Sequence, residues 1–419
     1  MKRFSKIIIL IIITTLISIS LWGCSNNSKR QLQLSANDLM YGITARQVDV
    51  AALSDEFIAS KADFSISLFR KTLQEDENTL ISATSVLLAL AMTANGASGE
   101  TLSQMEAVLG GGLPIIELNR YLYSFASGLF SGDRSRLDIA NSIWFREDGI
   151  VVNPEFLQTN ADYFGANAYS APFDQTTVED INAWVHYHTD GMIEEILEVI
   201  SPETVMYLIN AIMFDAEWAR IYERRDIRSG HFTAFDNREQ TVSFMRSTES
   251  LFINDDLATG FIKPYHGNHY SFVALLPNEG VCVLEYVNSL TGADFVSTIQ
   301  NAQNLSVVAA LPKFEFEFDL SLVDALVNMG MVDAFCDSDA NLTGLGQSFG
   351  NLFISDVMHN TFISVGERGT RAGAVTSVAV DGESVSMLDR YVILNSPFVF
   401  AIIDNAVSLP IFMGTVLEV

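Results

Sequence analysis

Side chains able to carry catalysis are thinly spread along this 419-residue chain. There are six histidines, at 186, 188, 231, 266, 269 and 359. His186 and His188 stand two apart in a helical pattern, which turns them to different faces. No HExxH sequence is present to hold zinc, and no GxSxG elbow to raise a nucleophilic serine; "GASGE" at 96–100 lacks that spacing. "GLGQSFG" at 344–350 has no strand-then-helix frame for a dinucleotide. Acidic pairs such as Glu194 and Glu195 carry little information among 51 carboxylates. Cys282 and Cys336 show neither CxxC nor Cys/His ligand spacing, so no metal site is indicated. An oxidising compartment would permit them to pair, but two free, partly buried thiols is the preferred reading. Every one of these residues reads as structural. No enzyme, cofactor or metal is expected.

A different kind of chemistry is offered by "VGERGTRAGAVTSVAVDGESVSML", residues 365–388. From Gly366 to Ser386 there is no Leu, Ile, Phe, Tyr or Trp, although the chain is 49% hydrophobic. The flanks, "HNTFISV" and "YVILNSPFVFAIID", read as buried strands. By strand parity, the even positions from Thr370 through Ala372, Ala374, Thr376, Val378 and Val380 to Ser384 are uncharged and mostly small. Arg371, Asp381 and Glu383 all fall on the odd side. A strand with one small neutral face and one charged face can lie in a sheet over a core. A solvent loop has no need of that segregation.

The elements around this stretch are read from periodicity. Steps of three and four residues through Phe57, Ile58, Phe64, Ile66, Leu68, Phe69 and Leu73 predict a helix. Further helices are expected over "SATSVLLALAMTANG", over "SGETLSQMEAVLG" from a cap near Ser98 to Gly110, and over "VEDINAWVHYHTDGMIEEILE", stopped at Gly191. "MYLINAIMFDAEW", "HYSFVALLPNEG", "LSVVAALPKFEFEFD" and "LFISDVMHNTFISV" are β-rich runs between turn signals. Helices gather early and strands late, so the fold class is α+β rather than alternating βαβ.

The N-terminus, "MKRFSKIIILIIITTLISISLWGC", has a basic start and an apolar run too short for a comfortable membrane span. "LWGC" resembles a bacterial lipobox. Residues 1–23 are therefore expected to be a lipoprotein signal peptide, with Cys24 lipidated and 24–50 a tether to a domain over 51–419. An ordinary secretion signal is the alternative, and either way the protein is exported; the preferred reading is a cell-surface or membrane-anchored lipoprotein of a bacterium. Loss of the leader removes three of the 24 basic residues and leaves a net charge of about −30. That balance repels nucleic acid and anionic lipid, so no nucleic-acid partner is expected.

"HNTFISVGERGTRAGAVTSV" resembles the hinge signature of the serpins, in which a Glu, a Gly-Thr and a run of small residues precede a reactive loop. "NTLISATSVLLALAMTANGASGETLSQM", "INAWVHYHTDGMIEEIL", "LINAIMFDAEW", "LPKFEFEFDLSLVDALVNMGMVDAF" and "SPFVFAIIDNAVSLPIFMGTV" are similar to other stretches of that family, in the same order. The resemblance covers about 51–419. It implies a large mixed β-sheet with two smaller sheets, a helical N-terminal half and an exposed loop over about 368–390. It also implies a metastable, monomeric inhibitor that traps a serine protease, with cysteine proteases as a second class, as an acyl-enzyme when the cleaved loop enters the main sheet. The runner-up is a non-inhibitory protein of the same fold.

Residue by residue, the resemblance makes Glu367, Gly369, Thr370, Ala372 and Ala374 the hinge. Lys313 is the expected partner of Glu367, Trp218 stands at the top of the opening sheet, and Ser82, Ser85, Asn210 and His359 form a polar cluster beneath it. Ala83 stands where the family usually has Pro, and "FDAEW" replaces "FKGxW". Arg371 and Gly373 depart from the usual Glu and Ala, both on the odd side, leaving Thr370, Ala372 and Ala374 fit for insertion. The scissile bond is expected sixteen residues after Glu367, between Glu383 and Ser384. A slip of one residue would put Gly382 or Ser384 before the cut, and Arg390 lies too far along for a short tether.

Overall fold

The computed structural model describes residues 32–202, 204–348, 350–370 and 390–419. Cys24, the leader, and loop positions Ala372, Ala374, Glu383 and Ser384 lie outside them. The folded body runs from Leu34 to Val419, so it begins well before the boundary expected at residue 51. Polar composition made residues 24–50 look like a tether, but from Ser35 onward backbone donors find anchored acceptors. The Ser35 and Ala36 amides donate to the Asp180 carboxylate at 3.0 and 2.7 Å. Arg46 donates to Asp162 through its amide at 2.6 Å and its side chain at 2.8 Å. The Ala51 amide donates to Ser124 Oγ at 2.8 Å. Both carboxylates are buried, and buried carboxylates need such donors.

Helix α1 (Asp55–Thr72) is capped by Ser54, whose side chain accepts from the Phe57 amide. Helix α2 (Ala83–Ala94) carries no charge and is buried all round, as a helix apolar on every face must be. It packs against the Leu409–Val416 strand and the main sheet. Helices α3 (Gly99–Gly110), α4 (Ile115–Gly128) and α5 (Pro154–Phe164) complete the N-terminal cluster. Helix α6 (Gln175–His188) ends before Gly191, which adopts φ 77°.

Seven strands form the main sheet: β1 (Asn37–Asp38), β2 (Ser135–Arg146), β3 (Asn167–Ala171), β4 (Met206–Glu217), β5 (Phe314–Ser321), β6 (Val357–Val365) and β7 (Gly369–Thr370). Their spatial order is β1, β3, β2, β4, β7, β6, β5. The strands expected in two smaller sheets join into one nine-stranded hydrogen-bonded sheet through the 16-residue strand Glu239–Asn254. A further two-stranded ribbon pairs Gly346–Ser348 with Ile150–Val152. The run "LSVVAALPKFEFEFD", expected as one β segment, divides at Lys313. Gln303–Pro312 belongs to the nine-stranded sheet and Phe314–Ser321 to the main sheet. Pro312 has no N–H to continue a ladder, and the Lys313 amide instead donates to the Ser243 carbonyl at 3.0 Å. This switch between sheets brings Lys313 to the end of the main sheet where β6 turns into β7.

Candidate functional site

Strand β7 is a two-residue wedge between β4 and β6. Gly369 pairs with Glu217 and Thr370 with Ala216, antiparallel to β4. On its other side Thr370 pairs with Val365, antiparallel to β6. Further along, β4 and β6 meet directly and in parallel, Leu208 with Val357 and Ile209 with Met358. Ala216 and Val365, held apart by the wedge, stand in the same register as Leu208 and Val357. The sheet is thus parted at one end and closed below without any slip. Gly369 is required by close approach, since a Cβ there would collide with the Ala216 carbonyl oxygen. Thr370 points into the core, 3% exposed, with its hydroxyl bonded to the Tyr265 hydroxyl.

The base of the wedge is held by charge and by an aromatic stack. Lys313 Nζ pairs with the Glu367 carboxylate. Burial pushes the Glu367 carboxyl up, but the hydrogen bond from Lys313, a backbone hydrogen bond and the Lys313 charge together outweigh it and hold the group below its usual range. Trp218 is buried and stacks on Tyr265 at 4.5 Å between ring centroids. Its indole N–H donates to the Gly366 carbonyl at 2.9 Å, and its amide to the Arg368 carbonyl at 2.7 Å. Beneath it the Lys263 ammonium lies 5.3 Å from the Trp218 ring and 2.8 Å from the buried Glu249 carboxylate. Glu367, Gly369, Thr370, Trp218 and Lys313 therefore meet at one end of one sheet.

Ser82, Ser85, Asn210 and His359 meet farther down, where β4 and β6 first touch. The Ser82 amide donates to His359 Nε2 at 3.1 Å, so the neutral ring carries its proton on Nδ1. Ser85 Oγ donates to the Ser82 carbonyl at 3.0 Å. Asn210 Nδ2 donates to the Ser85 carbonyl at 3.3 Å and to Asn141 Oδ1 at 2.6 Å. Two atoms in this buried cluster have no partner: His359 Nδ1 and Asn210 Oδ1. One is a donor and the other an acceptor, on the two strands that would have to part. Burial holds the His359 pKa down to about 4, so the ring is neutral at physiological pH.

Sequence reasoning missed Tyr265, Asn141 and the arginines around Glu217. Arg368 Nη2 and the Glu217 carboxylate lie 2.6 Å apart, and Arg134 reaches the other Glu217 oxygen at 2.6 Å. The only signal was the unusual "FDAEW". Cys282 and Cys336 are free and half-buried. The arrangement seats one short strand, β7, between β4 and β6.

The serpin (serine protease inhibitor) family model matches residues 59–419. The chain is 32% identical over 368 residues to an uncharacterised serpin-like protein of Thermococcus kodakarensis, covering 85% of this chain and 84% of the relative. It is 30% identical to neuroserpin of Homo sapiens, covering 85% and 90%. Among solved structures, the native state of tengpin, a thermophilic serpin, is 49% identical with a TM-score of 0.89, covering 92% of this chain and 100% of that one. The latent state of tengpin gives a TM-score of 0.80, covering 88% and 100%. The wedge between β4 and β6, the Lys313–Glu367 pair and the match over 59–419 agree: this chain belongs to the serpin family.

Proposed function

We propose that this serpin inhibits a protease as a suicide substrate, by inserting its cleaved reactive loop between β4 and β6. The observation that carries the reading is the seating of Gly369 and Thr370 in a gap whose two walls already share one register. Continuing that register would set Ala372 against Phe214 and Ile363, Ala374 against Ile212 and Thr361, and Thr376 against Asn210 and His359. Each is an even position, on the same side as the buried Thr370. Fourteen residues from Thr370 to Glu383 would extend about 46 Å at about 3.3 Å each, enough to carry a tethered enzyme across a large domain. Only β4 and β6 need separate, since no residue has to slip.

The protease nucleophile attacks the carbonyl carbon of Glu383 and breaks the bond to the Ser384 nitrogen, which takes a proton and remains as the new N-terminus of the C-terminal segment, itself still held in its sheet by the strands from Arg390 onward. Insertion then pulls the acyl-enzyme away before water can hydrolyse the ester. The native fold is held by a barrier rather than by being the deepest minimum. An acidic residue before the cut favours a serine protease selective for Glu, with cysteine proteases as a second class. The inhibitor is monomeric and exported, and is held on the cell surface by a lipid at Cys24.

The test is incubation of the purified protein with a panel of serine proteases, Glu-specific ones included, followed by denaturing gels. A covalent complex, and a released fragment whose N-terminus is Ser384, are the expected results. Cleavage without complex across the panel would instead mark a non-inhibitory serpin, and a fragment starting elsewhere would move the scissile bond.

A further inference from the structure

Glu217, the last residue of β4, carries one arginine on each carboxylate oxygen. Arg368 donates to Oε1 at 2.6 Å and Arg134 to Oε2 at 2.6 Å. Burial pushes the Glu217 carboxyl up, but the bonds from Arg368 and Arg134 outweigh it and hold the group low. The two arginines differ in surroundings. The Arg134 side chain is 55% exposed, whereas those of Arg368 and Glu217 are 26% and 18% exposed. Arg368 Nε is buried without a partner. The Glu217 carboxylate is therefore the contact that offsets desolvation of the Arg368 guanidinium. Without it, the cation is better served by turning out to water. Arg368 is joined directly to Gly369, and its carbonyl accepts from the Trp218 amide at 2.7 Å. A guanidinium that leaves takes the first residues of the wedge with it.

We propose that Glu217 is a positioning residue for loop insertion: through Arg368 it keeps the hinge seated at the top of β4. Insertion then extends a strand already begun. Fixing the first residues of a strand loses backbone entropy before the ladder rewards it, and the clamp has this done before cleavage. Arg134 balances the charge of Glu217 from the solvent side and is dispensable for seating. The role in insertion rests on the inhibitor reading above; the seating itself does not.

The test uses the full-length protein and two readouts. Hydrogen exchange is followed at the Trp218 amide and at the Gly366 amide, which donates to the Gly369 carbonyl at 2.9 Å. Both should exchange about fivefold faster in Glu217→Gln and in Arg368→Gln, with core amides unchanged. The double variant should be no faster than either single one, and Arg134→Gln should behave as the wild type. With a protease the wild type traps, the ratio of cleaved to complexed serpin should rise about fivefold in the same variants. It should also rise in the wild type as salt goes from about 0.05 to about 0.5 M, but not in Glu217→Gln. Unchanged exchange at the two amides, or a rise shared by the core, overturns the clamp. Faster exchange with an unchanged ratio overturns its role in insertion. If the wild type traps no protease, the inhibitor reading falls, and exchange alone decides whether Glu217 seats the hinge.

Discussion

Thr370 and Tyr265 join their hydroxyls beneath the main sheet, across 105 residues of sequence. The bond ties the first inserted side chain to the aromatic stack that includes Trp218. Burial pushes the Tyr265 phenol far above its usual range, so it stays neutral at any working pH.

Replacing Thr370 by Arg should therefore convert inhibitor into substrate. The site is 3% exposed and meets the Tyr265 hydroxyl, so an arginine there would have to bury a guanidinium. The variant should be cut at the same bond as the wild type, at a comparable rate, with no covalent complex on denaturing gels. Undiminished complex formation would refute insertion as the inhibitory step. Tyr265→Phe is the milder companion. It removes one buried hydrogen bond, for about 1 kcal/mol measured by denaturant unfolding, and should leave trapping largely intact.

The unpartnered His359 Nδ1 and Asn210 Oδ1 make a second prediction. In the register proposed for insertion, Thr376 arrives between their strands. Its hydroxyl can accept from the Nδ1–H and donate to the Oδ1, satisfying both at once. Thr376→Val keeps the shape and loses those bonds. The loop-cleaved form should lose about 1–3 kcal/mol of stability while the uncleaved form is unchanged. Thermal unfolding before and after cleavage measures this, and equal losses in both forms would show that the register is wrong.

Which parts of this site were legible follows from how local their signals are. Gly369, Thr370 and the small residues after them declare themselves through composition and parity within one short stretch. Trp218, Lys313 and the serine–asparagine–histidine cluster came from family resemblance, because their contacts join strands far apart in sequence. Glu217 and Arg368 are 151 residues apart, and in a chain with 51 carboxylates an isolated Glu reads as surface. The segment from Ser35 to Arg46 was misjudged for a related reason. Its own residues are polar, and what fixes it are the Asp162 and Asp180 carboxylates on helices more than a hundred residues away. The break at Lys313 was written in Pro312, but periodicity continues across it, so only the pairing partners reveal the change of sheet.

His359 gives the protein an acid limit. Its folded pKa is lowered to about 4, against about 6.5 unperturbed, by burial. Below pH 6.5 the unfolded chain takes up a proton that the native ring refuses until about pH 4. Stability is thus fully present above pH 6.5 and is lost as pH falls toward 4, by about 3 kcal/mol from this group. Denaturant unfolding of wild type and His359→Gln at pH 7, 5.5 and 4 should give curves that converge with acid. A constant difference across that range would remove His359 as the cause.

Lys61 acts in the same direction at higher pH. It lies in α1 at 1% exposure, and its ammonium donates to Thr84 Oγ1 at 2.9 Å and to the Pro410 carbonyl at 3.3 Å. The Phe125 ring centroid is 4.5 Å away. Burial lowers the pKa to about 7, with the Asp404 carboxylate opposing. Between pH 10.5 and 7 the unfolded chain is protonated here while the native amine sheds its proton, so stability falls as pH falls through that window. Below pH 7 both states carry the charge, and the native fold holds an ammonium among neutral partners. Lys61→Met has a similar length and no charge to desolvate. It should be more stable than the wild type at pH 6, by about 1–4 kcal/mol, and should show no slope between pH 7 and 10 from this site. The wild type should gain on it steadily over that interval, because its native amine no longer carries the buried charge while its unfolded chain is still protonated. Parallel stability curves from pH 6 to 10 would mean that Lys61 keeps an ordinary pKa despite its burial.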